Sequence, residues 1–137
     1  MALLVPDVGE VELLKRLLYA NAGSENGTLK LYKTNVTPSE SDTAASYTVA
    51  DFTGYSDKTL TSSQSGGTWA VPTTSSGTTS STYGTTLTWS PTTSQTVYGY
   101  YVVGATSTVL WWAELFASSK NLSNGDTLNL TAKIQLD

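Results

Sequence analysis

The sequence predicts an all-β fold, a jelly-roll-like β-sandwich carrying one short N-terminal α-helix. Three observations carry that expectation. Beyond Gly27, apolar residues recur mostly at every second position, the period of a strand with one buried face. The composition is that of sheets, with four Trp, eight Tyr and many β-branched residues. Turn signals separate short runs at a spacing that suits a sandwich rather than βαβ units. Ser and Thr make up close to a third of the 137 residues, a share that also suits disorder, but the aromatic and aliphatic content favours a folded sheet.

Residues 1–22 are expected to form an N-terminal arm and amphipathic helix, and residues 23–137 a single β-sandwich domain. Asp7 and Glu10 have the spacing of a capping box, with Pro6 outside the cap. Val8, Val11, Leu14, Leu17 and Leu18 then recur at steps of three and four, Leu13 widens the stripe, and Gly23 is a plausible stop. A helix this short needs a packing partner. Leu3, Leu4 and Val5 extend its apolar surface toward the chain end, so the arm is expected to dock on a neighbouring subunit.

The strands follow in order. Thr28–Thr37 alternates Leu29 and Leu31 with Lys30 and Tyr32 until Pro38. Ser39–Asp51 reads as a polar connection, with Tyr47, Val49 and Phe52 anchoring it. Tyr55–Thr61 suits a short strand, and Ser62–Tyr83 a long hairpin or loop around Trp69. Leu87 and Trp89 share a face. Thr96–Val103 and Thr108–Phe116 form a hairpin across Gly104–Ser107. Asn124-Gly125-Asp126 is a turn, and Leu128–Leu136 then alternates strictly, as one strand with a buried and a wet face.

Composition narrows function mainly by what is missing. There is no Cys and no His, so the Ser-His-Asp triad, the Cys-His dyad and the usual zinc sites are unavailable. The expectation is a non-enzymatic protein with no cofactor and no metal. Asp42, Asp51, Asp57, Glu114 and Asp126 are scattered, without the spacing of a calcium loop or of paired glycosidase carboxylates. Seven basic residues against eleven acidic ones leave no basic stripe for nucleic acid. No apolar run is long enough for a membrane span, and no basic region precedes the apolar start as in a signal peptide.

The most informative feature is a charge-free run from Thr59 to Ala113. Soluble surfaces carry interspersed charges that discourage sheet edges from pairing, whereas interface cores are poor in charge and rich in Tyr and Trp. The run holds Trp69, Tyr83, Trp89, Tyr98, Tyr100, Tyr101, Trp111 and Trp112. About half of these rings should fill the core. In a regular strand Tyr98 and Tyr100 oppose Tyr101, and Trp111 opposes Trp112, so the remainder need a lid from the helix or another subunit. The candidate protein-interface residues are therefore Leu3, Leu4, Val11, Leu14, Leu18, Trp69, Tyr98, Tyr100 and Trp112. Aromatics on a β-scaffold also suit a carbohydrate-binding module. With no charge to discourage edge pairing, the run also leads to the expectation of a homo-oligomer.

The segments Leu-Val-Pro-Asp-Val-Gly-Glu-Val-Glu-Leu-Leu-Lys-Arg-Leu-Leu (4–18), Leu-Lys-Leu-Tyr-Lys (29–33), Tyr-Gly-Tyr-Tyr-Val-Val (98–103), Leu-Trp-Trp-Ala-Glu (110–114) and Asn-Gly-Asp-Thr-Leu (124–128) span nearly the whole chain. In these the chain resembles a group of small virion structural proteins of tailed bacteriophages. The resemblance carries no catalytic motif. It implies a particle component made in the host cytoplasm and located in the virion, a head decoration (cement) protein whose partner is the major capsid protein or another lattice protein, and it favours a trimer, because capsid decoration often sits on local three-folds. A tail-fibre or adhesin-type glycan- or receptor-binding module and a tail adaptor are the alternatives.

Overall fold

A computed structural model of the chain describes residues 5–6, 25–62, 69–70, 73–75 and 78–136. The expected helix lies outside the described residues, as do the arm and helix residues Leu3, Leu4, Val11, Leu14 and Leu18.

The described residues are all-β, in antiparallel sheets. Strands β1 (Gly27–Tyr32), β2 (Lys58–Leu60), β6 (Gln95–Gly104) and β7 (Leu110–Leu122) form a four-stranded sheet in the order β2-β1-β6-β7. Strands β3 (Thr73–Ser75), β4 (Thr78–Thr82) and β9 (Lys133–Leu136) form a second, and β5 (Leu87–Trp89) pairs with β8 (Leu128–Leu130). The β6–β7 hairpin is the one the alternation predicts, closed by hydrogen bonds from Gly104 N to Val109 O and from Thr108 N to Gly104 O.

The main core lies between these sheets in a sandwich-like arrangement. Leu29, Leu31, Val97, Tyr100, Val102, Trp111 and Trp112 of the four-stranded sheet pack with Leu87, Trp89 and Leu128 of β5–β8 and with Tyr83 and Ala132 beside β4–β9. Val5 belongs to the same cluster at 7% exposure, and Pro6 is fully buried. This corrects the expectation that Val5 extends an outward-docking arm. A Val–Pro pair offers apolar surface and one fewer backbone donor to satisfy, so the chain's own core takes it.

The final alternating segment is two strands, not one. β8 pairs with β5 (Leu87↔Leu130, Trp89↔Leu128) and β9 pairs with β4 (Ser81↔Ile134, Thr82↔Lys133). The chain changes sheets at Thr131–Ala132, where the fully buried Ala132 accepts a hydrogen bond from Tyr83 N. Inward and outward faces still alternate through the corner: Leu128 and Ala132 are buried while Asn129 and Thr131 are exposed. A period of two reports faces, and it does not report which neighbour a strand pairs with.

The outer face of the four-stranded sheet is covered by the connection from Lys33 to Ala50. Its two ends are tied to each other by Lys33 N to Thr48 O and back to β1 by Ala50 N to Leu31 O, so the segment leaves the sheet and folds back over it. A single 3-10 turn, Ala44–Ser46, interrupts it behind a capping box at Thr43. Tyr47 enters the aromatic layer beneath and Phe52 joins the main core, the anchoring roles their types suggest.

Candidate interaction surface

Two irregularities in β7 decide where the aromatic rings go. Val102 pairs with Trp112 but Val103 pairs with Leu110, so Trp111 is an extra residue in the ladder. An extra residue keeps its successor on the same face. Trp111 and Trp112 therefore both enter the main core, at 5% and 2% exposure, with rings 6.3 Å apart and 26° from parallel. The expectation that they point to opposite faces is corrected by this bulge.

A second break lies between Val97↔Lys120 and Gly99↔Leu115. Across it the phase of β6 slips by one. Val97, Tyr100 and Val102 face the main core, while Tyr98, Tyr101 and Val103 face the opposite side. Strict alternation placed Tyr98 with Tyr100; the structure places it with Tyr101.

The outer layer is built on tyrosines. Tyr32, Tyr47 and Tyr101 are all but fully buried, with Tyr47 stacked on Tyr101 at 5.0 Å and tilted against Tyr32 at the same separation. The Tyr32 hydroxyl has the backbone oxygens of Glu114 (3.2 Å) and Val36 (3.3 Å) within donating distance. It reaches Glu114 by crossing over Gly99, where a Cβ would collide with both the Glu114 oxygen and the Tyr32 hydroxyl. Burial pushes the Tyr101 hydroxyl up to about 12, with Asp57 adding to the shift. Burial likewise raises Tyr32 and Tyr47, with Glu114 contributing to the first and the Asp42 hydrogen bond to the second.

Around this layer Val36, Ala44, Val49, Tyr98 and Leu115 are half-buried. They form an apolar, partly wet border to a rigid aromatic base. Polar pairs edge it. Tyr47 donates to Asp42 at 2.7 Å, Lys30 pairs with Asp57 at 2.9 Å, and Lys33 pairs with Asp51 at 2.6 Å. Hydrogen bonds from the Lys33 ammonium and the Gln95 amide hold the Asp51 carboxyl below its ordinary range. An apolar centre with a polar rim is the anatomy of a protein–protein contact.

The described sequence-predicted candidates divide accordingly. Tyr98 borders the outer surface, half-exposed. Trp69 is also half-exposed, but its ring leans on Tyr83 (5.1 Å) and Trp112 (6.1 Å) at the edge of the main core. Tyr100 and Trp112 are 1% and 2% exposed and fill the chain's own core, so neither presents a surface to a partner. Sequence reasoning missed Leu115, Val36 and Val49. Leu115 lies just beyond the charge-free run, Val36 falls at the end of a stretch that reads as one strand, and Val49 reads only as an anchor of the polar connection.

Carboxylates are spent on local structure. Glu25 accepts from the backbone N–H groups of Thr106 and Ser107 at the hairpin turn, Asp57 accepts from Tyr55, and Asp126 accepts from Ser123 N. Among the described residues no group of three or more Asp, Glu, His or Cys is placed to hold a metal ion. Also among them, no helix is long and apolar enough to cross a membrane.

No protein-family model matches the chain, and no curated protein matches it.

Proposed function

We propose that the chain is a structural protein of a tailed-phage virion, a jelly-roll-like head decoration protein that docks on the major capsid protein or another lattice protein. The observation that carries the reading is the half-exposed apolar border of Tyr98, Leu115, Val36 and Val49 around the buried tyrosines of the outer layer. A fully packed Tyr32–Tyr47–Tyr101 base needs no reordering on contact, and the Tyr98–Leu115–Val36–Val49 border supplies apolar area to bury. Burial stabilises the contact by roughly 25 cal/mol per Å², less the cost of ordering. A lattice repeats the contact, so a weak single site holds by avidity. The resemblance across residues 4–18, 29–33, 98–103, 110–114 and 124–128 supports the same reading.

Purified chain mixed with virions of the encoding phage should sediment with them at a fixed ratio to the capsid protein. Failure to co-sediment, with a reproducible hit for one sugar class on a glycan array, would replace this reading with the adhesin one.

A further inference from the structure

The chain contains two Asn-Gly pairs among its described residues, Asn26-Gly27 and Asn124-Gly125, and the fold treats them differently. Asn26 is half-buried. Its side-chain oxygen accepts from Ser62 N at 3.0 Å and its backbone oxygen accepts from Ala105 N at 2.8 Å. Gly27 is buried inside the sheet, in register with both Leu60 and Gly104. Asn124 and Gly125 are both exposed, in the turn between β7 and β8. Gly125 has φ +91°, and open space surrounds the position a Cβ would take. Its N–H is held only by Pro91 O at 3.3 Å, and the turn closes through Asp126 N to Ser123 O at 3.1 Å.

We infer that Asn124 is a site of spontaneous modification, converting through a succinimide to aspartate and isoaspartate while Asn26 is protected. The Gly125 nitrogen, giving its proton to solvent base, forms a bond to the Asn124 side-chain carbonyl carbon. The bond from that carbon to its amide nitrogen breaks, and ammonia leaves. Water then opens the five-membered ring at either carbonyl, regenerating one peptide link and one carboxylate. The net change is amide plus water to carboxylate plus ammonia, with no oxidant or cofactor. Glycine lets the nitrogen approach because no side chain blocks it. Reaching the attacking geometry requires opening one exposed turn at Asn124, but opening two sheet pairings at Asn26.

The product adds a negative charge two residues from Asp126. Its isoaspartate form also lengthens the backbone at the turn that sets Leu128 into the core.

Incubation of the folded chain in mildly alkaline buffer, followed by peptide mapping, tests this. The Asn124 peptide should gain the mass of an amide-to-acid conversion and yield isoaspartate, at least about tenfold faster than the Asn26 peptide because local opening is cheaper there. Gly125→Ala should slow it, and Asn124→Gln should abolish it. Equal rates at the two sites would overturn the inference. So would an unchanged Asn124 in folded protein over a period in which both sites convert in the denatured chain.

Discussion

Trp111 and Trp112 follow one another in the chain yet lie on the same side of the sheet, their rings 6.3 Å apart. One extra residue in β7 relative to Val102 and Val103 produces this. The bulge brings a second indole into the core, where Trp69 extends the aromatic group across Trp112 to Tyr83. It also disturbs the edge strand of the four-stranded sheet, a device that discourages edge-to-edge pairing where charge is absent.

Trp112→Ala should therefore act on stability before it acts on any contact. Removing a side chain that is 2% exposed costs about 3–5 kcal/mol. Trp69→Ala, half-exposed, should cost less, about 1–3 kcal/mol. Urea unfolding of both variants checks the order. A Trp112→Ala protein as stable as the wild type would contradict the placement of that ring.

At Gly99 the limit is steric. Gly99→Ala drives a methyl group into the Glu114 backbone oxygen and the Tyr32 hydroxyl, so β6 and β7 must separate locally. The expected loss is about 1–3 kcal/mol, the range of overpacking. Tyr32→Phe keeps the ring and loses its hydroxyl contacts, for roughly 1 kcal/mol. Thermal melts of the single and double variants check both. Coupling between them is expected, because the two groups touch.

Tyrosine burial sets an alkaline limit. An unfolded tyrosine ionises near pH ~10. Tyr101 is raised to about 12, and burial also raises Tyr32, Tyr47, Tyr55 and Tyr100. A raised folded-state value means that the stabilisation is complete below the unfolded value and is lost as pH climbs through the folded one. Stability should hold below pH ~10 and fall steadily above it. Phenolate absorbance should rise together with loss of the folded circular dichroism signal. Full ionisation of all the tyrosines in a still-folded protein would contradict the buried layer.

Much of this fold was legible in the residues. The β6–β7 hairpin, the inward pair Leu87 and Trp89, and the turn at Gly125 follow from period and turn chemistry. What escaped depends on relations between strands. A single added residue at Trp111, a register slip beside Tyr98 and a change of sheet at Ala132 leave no mark on a period of two. The lid over the outer face escaped for a different reason. The bonds that close it, Lys33 N to Thr48 O and Ala50 N to Leu31 O, are backbone hydrogen bonds, which the side chains do not encode.

The arm is testable in the same spirit. Val5 and Pro6 are buried in the main core, so deleting residues 1–22 removes part of that core. The truncated chain should unfold at lower denaturant than the full chain. An unchanged midpoint would show that Val5 and Pro6 contribute nothing to the sandwich.

Light scattering should report a mass above 14.5 kDa at micromolar concentration if the outer face also joins copies of the chain, as the trimer that the decoration-protein resemblance favours requires. A monomer throughout would leave the lattice as that face's sole partner.

On the proposed reading, the apolar border of the outer face holds the chain to a virion lattice. Co-sedimentation with purified tailed-phage virions tests that proposal most directly, comparing wild type with a Tyr98→Lys, Leu115→Glu variant. Both positions are half-exposed and packed against the tyrosine layer, so binding is compared at a temperature at which the variant's own melting profile shows it folded. Charges in the apolar border that the contact would bury should then weaken binding at least about tenfold. A variant that folds normally and sediments with virions as well as the wild type does would contradict the account.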